Sequence, residues 1–292
     1  MSHKVKLTLL FCCLSILITS SARADLMAYW RLDDGQGTIA LDSSGNERHA
    51  QMEGSPIWGE GMLEGALEAS LGNYLVVPGY TGVLGAEPRS CTAWIRTEQA
   101  SAVIFGWGLI SNGTKWIVRV NDGVGQLRCE VDGGFQIANT SLIDNEWHHV
   151  AAVLTPEAPN VEDVLLYVDG VHDGTGGVSA RAINTIEDMD VTLGQNPHSL
   201  STRHFVGLLD DMRIYSRALT AEEVQAVMLG KGPGVATELA GQPSPEDEVV
   251  DVPRHAVLNW AAGEFAATHN VYLSAVLDDL NTADQGALVS QG

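Results

Sequence analysis

The sequence predicts an all-β fold of two packed antiparallel sheets. Three observations carry that expectation. About twelve short apolar runs of strand character follow one another before residue 219. Turn chemistry separates them, with 31 glycines in the chain and Asx-Gly pairs at several junctions. No segment of helical period and helical length interrupts the series, so the runs pack as two sheets face to face.

The first strand is read over residues 26–32 (LMAYWRL), followed by turns at 33–37 and at Asp42-Ser-Ser-Gly-Asn46. Residues 66–77 hold a strand pair broken at Gly72-Asn73, and residues 90–97 and 103–110 are further strands. Residues 116–120 and 126–131 flank the turn 121–125 (NDGVG), which is a hairpin signal. Residues 146–154 (EWHHVAAVL) carry few charges and read as a central strand. Residues 164–168 turn at Asp169-Gly170 into Val171-His172. Residues 191–194 and 205–215 complete the set. One short helix follows. Thr220 is its N-cap and Glu223 closes a capping box, with Leu219 and Val224 as the hydrophobic staple. Gly230 ends it, and Val224, Val227 and Met228 form its buried stripe.

The stretch HFVGLLDDMRIY, residues 204–215, is apolar enough for a sheet interior yet carries the acid pair Asp210-Asp211. On a regular strand Met212 and Ile214 share one face, and Asp211, Arg213 and Tyr215 the other, unless a bulge intervenes. Acids inside such a strand sit at a rim or are neutralised by a cation and hydrogen bonds.

The first 24 residues read as a secretory signal: Lys4 and Lys6, a largely apolar stretch over 7–18, and Ala22-Arg23-Ala24 as the cleavage pattern. That apolar stretch falls short of a membrane span, and no later one is long enough, so no membrane insertion is expected after cleavage. The expected location is secreted or cell-surface. The whole chain has a formal charge of −21, and loss of Lys4, Lys6 and Arg23 takes it to about −24. Nucleic acid and anionic membrane are poor partners for such a surface. Cleavage leaves two cysteines, Cys91 and Cys129, both in strand-like runs. They form one disulfide or remain two buried thiols. Residues 232–248, rich in Gly, Pro and acids, read as a linker into a small unit over 249–292 with strands near 255–260 and 269–274.

Seven pieces, in order, carry a family resemblance. They are AYWRLDDGQG (28–37), DSSGNERHA (42–50), GALEASLGNYLVVP (65–78), TAWIRT (92–97), EWHHVAAVL (146–154), LLYVDGV (165–171) and FVGLLDDMRIYSRALTAEEVQAV (205–227). Together they resemble a laminin G-like, concanavalin A-like domain of the bacterial type, over residues 25–231. The resemblance implies a two-sheet jelly-roll sandwich. Residues 249–292 resemble the first part of a fibronectin type III-like module.

The resemblance also implies one structural calcium ion beside the first and last strands. Its ligands would be Asp42 and Asn46 from the DSSGN turn and Asp210 or Asp211 from the last strand, hard oxygens of the kind calcium takes. The competing reading is that Asp42 and Asn46 satisfy their own turn, while Asp210 or Asp211 pairs with Arg213 or Arg217.

No catalytic set is found. Laminarinase-type relatives carry Glu-x-Asp-x-x-Glu on one strand, which this chain lacks, and the nearest acid clusters, Glu187-Asp-Met-Asp190 and Glu246-Asp-Glu248, fall in a loop and the linker. His148 and His149 are adjacent and face opposite ways on a strand, so they do not share a metal. Trp58, Tyr74, Tyr80, Trp107 and Trp116 are candidate sugar platforms, each with core packing as its alternative. The expected function is an exported, non-catalytic module that binds carbohydrate or a surface protein. The alternative is a structural spacer or adhesion unit without a small ligand.

Overall fold

Two antiparallel sheets face each other across an apolar interior. The computed structural model describes residues 25–156, 159–174 and 176–232, together with the strand segments 241–244, 259–261, 270–272 and 288–291. The first sheet runs β14 (Val171–His172), β13 (Leu165–Val168), β12 (Trp147–Leu154), β7 (Arg89–Arg96), β17 (Gly207–Tyr215), β5 (Gly65–Ala69) and β4 (Trp58–Glu60), and β1 (Leu26–Trp30) also pairs with β17. The second runs β15 (Gly177–Ser179), β11 (Phe135–Ser141), β10 (Gln126–Glu130), β9 (Lys115–Val120), β8 (Ala102–Gly108), β16 (Val191–Leu193), β6 (Tyr74–Val77), β3 (Ala50–Glu53) and β2 (Ile39–Ala40). This is the jelly-roll sandwich that the resemblance implied.

Alternation decides which side chains enter the interior. On β9 Trp116, Val118 and Val120 point inward, and on β10 Leu127 and Cys129 meet them in register. The intervening Lys115, Ile117, Arg119, Arg128 and Glu130 therefore lie on the outer face of the second sheet.

The acid pair is explained by a bulge. Leu209 and Met212 are three residues apart yet both enter the interior. The pairing of β17 with β7 shifts register between Asp210 and Arg213, and Asp211 takes φ 48°. Asp210 and Asp211 thus both leave the core on the outer side. The bulge lies where the partner of β17 changes from β5 to β1.

That outer face holds a second apolar cluster, including Leu26, Tyr29, Tyr215 and Leu219, and helix α1 (Ala221–Met228) covers it with Val224 and Val227. The expected capping box is present, with Thr220 and Glu223 exchanging side-chain and backbone bonds. Trp94 Nε1 donates to the Met228 carbonyl at 3.1 Å and fastens the helix end to the sheet. Burying the two valines stabilises this packing by about 1.5–3 kcal/mol each.

The disulfide expectation is corrected: Cys91 and Cys129 are both free and buried. Cys91 sits on β7 and Cys129 on β10, in opposite sheets. Burial pushes the Cys91 thiol up to about 12 and raises that of Cys129 as well.

In the C-terminal part, Gly241–Ser244 pairs with Asn259–Ala261, and Asn270–Tyr272 with Leu288–Gln291, each antiparallel. The first of these strands falls within the stretch read as linker. The signal at 1–24 and most of the fibronectin type III-like unit at 249–292 lie outside the described residues.

Candidate functional site

A cleft of about 520 Å³ opens on the outer face of the second sheet, lined by Lys115, Arg128, Glu130, Phe135, Arg203 and their neighbours. Its residues come from β9, β10, β11, β15 and the loop after β16. Glu130 is its centre. Oε1 accepts from Lys115 Nζ and Arg203 Nη1, both at 3.0 Å. Oε2 accepts from Arg119 Nε at 3.0 Å and stands 2.8 Å from Arg128 Nε. Burial alone would raise this carboxyl, but Arg119, Lys115 and Arg128 outweigh it and hold the group down to about 2. Glu130 is therefore a fixed anion that positions four cations.

The wall beside it is aromatic and glycine-lined. Phe135 lies opposite Glu130 in the β10–β11 pairing, and the Arg128 guanidinium stacks over its ring at 4.0 Å. Gly133 and Gly134 leave the β10–β11 turn without side chains. A Cβ at Gly134 would stand 2.2 Å from Arg181 Cβ, so only glycine lets that arginine's stem lie against the turn.

The cleft does not have the chemistry of a glycosidase. Such an enzyme needs a general acid whose pKa is raised, and Glu130 is displaced the other way. The acid cluster Glu187-Asp-Met-Asp190 lies on a loop, with all but Asp190 exposed.

Most of the oxygens expected at the metal site accept hydrogen bonds within the chain. Asp42 Oδ1 accepts from the Tyr29 and Ser44 backbone N–H groups, both at 2.9 Å. Its Oδ2 accepts from the Arg48 N–H at 2.9 Å and the Ser44 hydroxyl at 2.8 Å. Asn46 turns its amide nitrogen inward, to the Leu26 carbonyl at 2.8 Å and the Met27 carbonyl at 3.0 Å. Asp211 accepts the Tyr29 hydroxyl at 2.7 Å and pairs with Arg213 through both oxygens, at 2.7 and 3.0 Å. Asp210 Oδ2 accepts the Met62 and Leu63 N–H groups, each at 2.8 Å. Among the described residues no group of three or more His, Cys, Asp or Glu is placed to hold a metal ion. The tie between the first and last strands is made by Tyr29, whose N–H reaches Asp42 and whose hydroxyl reaches Asp211.

Asp210 is unusual in another way. Its Oδ1 is buried and finds no hydrogen-bond partner among the described residues. Burial pushes its carboxyl up to about 7 against the pull of the two N–H donors. Gly61 makes the contact possible, since a Cβ there would meet Gly65 O at 2.0 Å and Asp210 Oδ2 at 2.7 Å.

The histidine pair divides as expected of strand neighbours. His148 bridges Asp169 at 2.9 Å and Asp144 at 3.2 Å. His149 is buried edge-on to Trp94, and burial pushes its ring down to about 3. Among the aromatic candidates, Trp107, Trp116 and Tyr80 are core residues, while Trp58 and Tyr74 are half-buried. Sequence reasoning passed over Phe135 and the Glu130 cluster. The available signal was charge at alternate positions, Lys115 and Arg119 on β9 and Arg128 and Glu130 on β10, within otherwise apolar strands.

Residues 70–225 match the family Laminin_G_3, described as the concanavalin A-like lectin/glucanases superfamily. The chain belongs to this family. No curated protein sequence matches the chain. Among solved structures it is similar to domain 4 of AbnA, an extracellular GH43 arabinanase of Geobacillus stearothermophilus, in complex with arabinotriose. The TM-score is 0.54 at 20% identity, over 70% of this chain and 98% of that one. It is also similar to the binding domain of Paraclostridial Mosquitocidal Protein 1, with a TM-score of 0.50 at 15% identity, over 71% of this chain and 52% of that one. At these identities the likeness establishes the fold.

Proposed function

We propose that the protein is an exported binding module that holds a glycan, or a glycan-bearing protein surface, in the cleft around Glu130. The carrying observation is the cleft itself: a half-buried aromatic ring, glycine walls and fixed polar groups on a sheet face that the body leaves open. The similar arabinanase domain was solved with a bound arabinotriose, which supports a saccharide ligand for this fold. The leader-like residues 1–24 support export.

The test is a glycan array probed with the full chain and with Phe135→Ala. Retention of at least one glycan by the first, and its loss in a folded Phe135→Ala chain, is the expected result. Retention that Phe135→Ala leaves intact would place the ligand elsewhere. No retention on any glycan would favour a spacer or adhesion role.

A further inference from the structure

We infer that the ligand of this cleft is an acidic saccharide, its charge carried by carboxylate or sulfate oxygens; this rests on the proposed glycan-binding function and adds the ligand's class. The argument starts from charge. Outside the leader the chain has 13 basic residues against 37 acidic ones. Four of those basic residues, Lys115, Arg119, Arg128 and Arg203, converge on the single carboxylate Glu130. A fifth, Arg181, lies against the Gly133–Gly134 turn at the rim. Asp122 and Asp132 stand against these cations, and Glu162 accepts from the Arg181 backbone N–H at 3.0 Å. Positive charge therefore exceeds negative charge here, on a molecule that is strongly acidic elsewhere.

The four cations share one carboxylate. Burial lowers the Arg128 guanidinium, Glu130 raises it, and the neighbouring Arg119 and Arg203 lower it, so the positive groups repel one another within the cleft. An anion entering beside Glu130 relieves that repulsion. Donors remain for it. Arg203 commits only Nη1 among the described residues, and its side chain is 35% exposed. Among the described residues Arg128 pairs Nε with Glu130 and Nη1 with Asn121, which leaves Nη2. Guanidinium groups already held in place lose little freedom on binding, and their planar forks match carboxylate and sulfate oxygens. Phe135, with the Arg128 guanidinium stacked over its ring at 4.0 Å, adds apolar surface to the cleft.

The experiment is affinity electrophoresis of the full chain through polygalacturonate, dextran sulfate, neutral arabinan and neutral xylan, repeated with Arg203→Gln and Arg203→Glu. Arg203 is on a loop, and a thermal melt confirms that both variants fold. The expected result is retardation by one or both acidic polymers, weakened about tenfold by Arg203→Gln and abolished by Arg203→Glu, and falling steeply with salt. Which acidic polymer retards the chain separates carboxylate from sulfate. Retardation by a neutral polymer alone, lost in Phe135→Ala, would overturn the acidic-ligand inference and leave the glycan-binding function standing. Acidic retardation unchanged in both Arg203 variants would overturn the assignment to this cleft. No retardation by any polymer would overturn both.

Discussion

Glu130 and Arg203 are 73 residues apart in sequence, yet Arg203 Nη1 lies 3.0 Å from Glu130 Oε1. The contact joins β10 to the loop after β16 and closes one side of the cleft. Replacing Glu130 by Gln leaves Lys115, Arg119, Arg128 and Arg203 without their shared anion. The expected cost is about 3–5 kcal/mol, as for one partner removed from a buried ion pair. Urea unfolding measures it. The pH dependence follows from sign. The folded pKa of Glu130 is about 2, below the unfolded carboxylate value, so its contribution is complete above that unfolded value. It is lost as pH falls through about 2, and Glu130→Gln stability should lack this acid limb.

Asp210 behaves in the opposite sense. Its folded pKa of about 7 lies above the unfolded value. The stability it contributes is therefore complete below the unfolded value and is lost as pH rises through about 7. An Asn side chain keeps a carbonyl oxygen for the Met62 and Leu63 N–H groups and carries no charge. Asp210→Asn should raise Tm at pH 8, by about 2–4 °C per kcal/mol gained, and leave it nearly unchanged at pH 4. A melt series from pH 4 to 8 checks this.

The link between the first and last strands is expected to be independent of metal. Tyr29→Phe removes a hydroxyl bonded to the Asp211 carboxylate at 2.7 Å, with an expected loss of about 1.5–3 kcal/mol. Chelator or added calcium should leave the wild-type Tm where it is, because the Asp42 and Asp211 oxygens already hold internal donors. Differential scanning calorimetry with and without EDTA measures both effects.

How much of this was legible in the sequence differs from element to element. The hairpin at 121–125 and the capping box at Thr220 and Glu223 were readable because each is set within a few residues of chain. The DSSGN turn was readable chemically but ambiguous. Asp42 serves either its own backbone or a cation, and only the positions of Tyr29 and Arg48 decide for the backbone. The bulge at Asp210-Asp211 needed the changeover from β5 to β1, which no local pattern encodes. The cleft was the hardest to see. Arg203 meets Glu130 only after both sheets are paired, and Phe135 is unremarkable until the register places it opposite Glu130.

The thiols provide a check on the interior. A chain beginning at Asp25 should show no reaction of Cys91 or Cys129 with a thiol reagent at pH 8 while folded, and two thiols in denaturant. The Cys91 pKa of about 12 and its complete burial both suppress the thiolate. One or both thiols missing in denaturant without reductant would show that they had been oxidised.

The most direct test of the central claim, that the ligand seats around Glu130, is an amide and side-chain NMR titration with trigalacturonate. The account predicts perturbations centred on Lys115, Arg128, Glu130, Phe135 and Arg203. Perturbations centred instead on the separate cleft lined by Arg96, Gln99, Asn145 and Leu208 would contradict it.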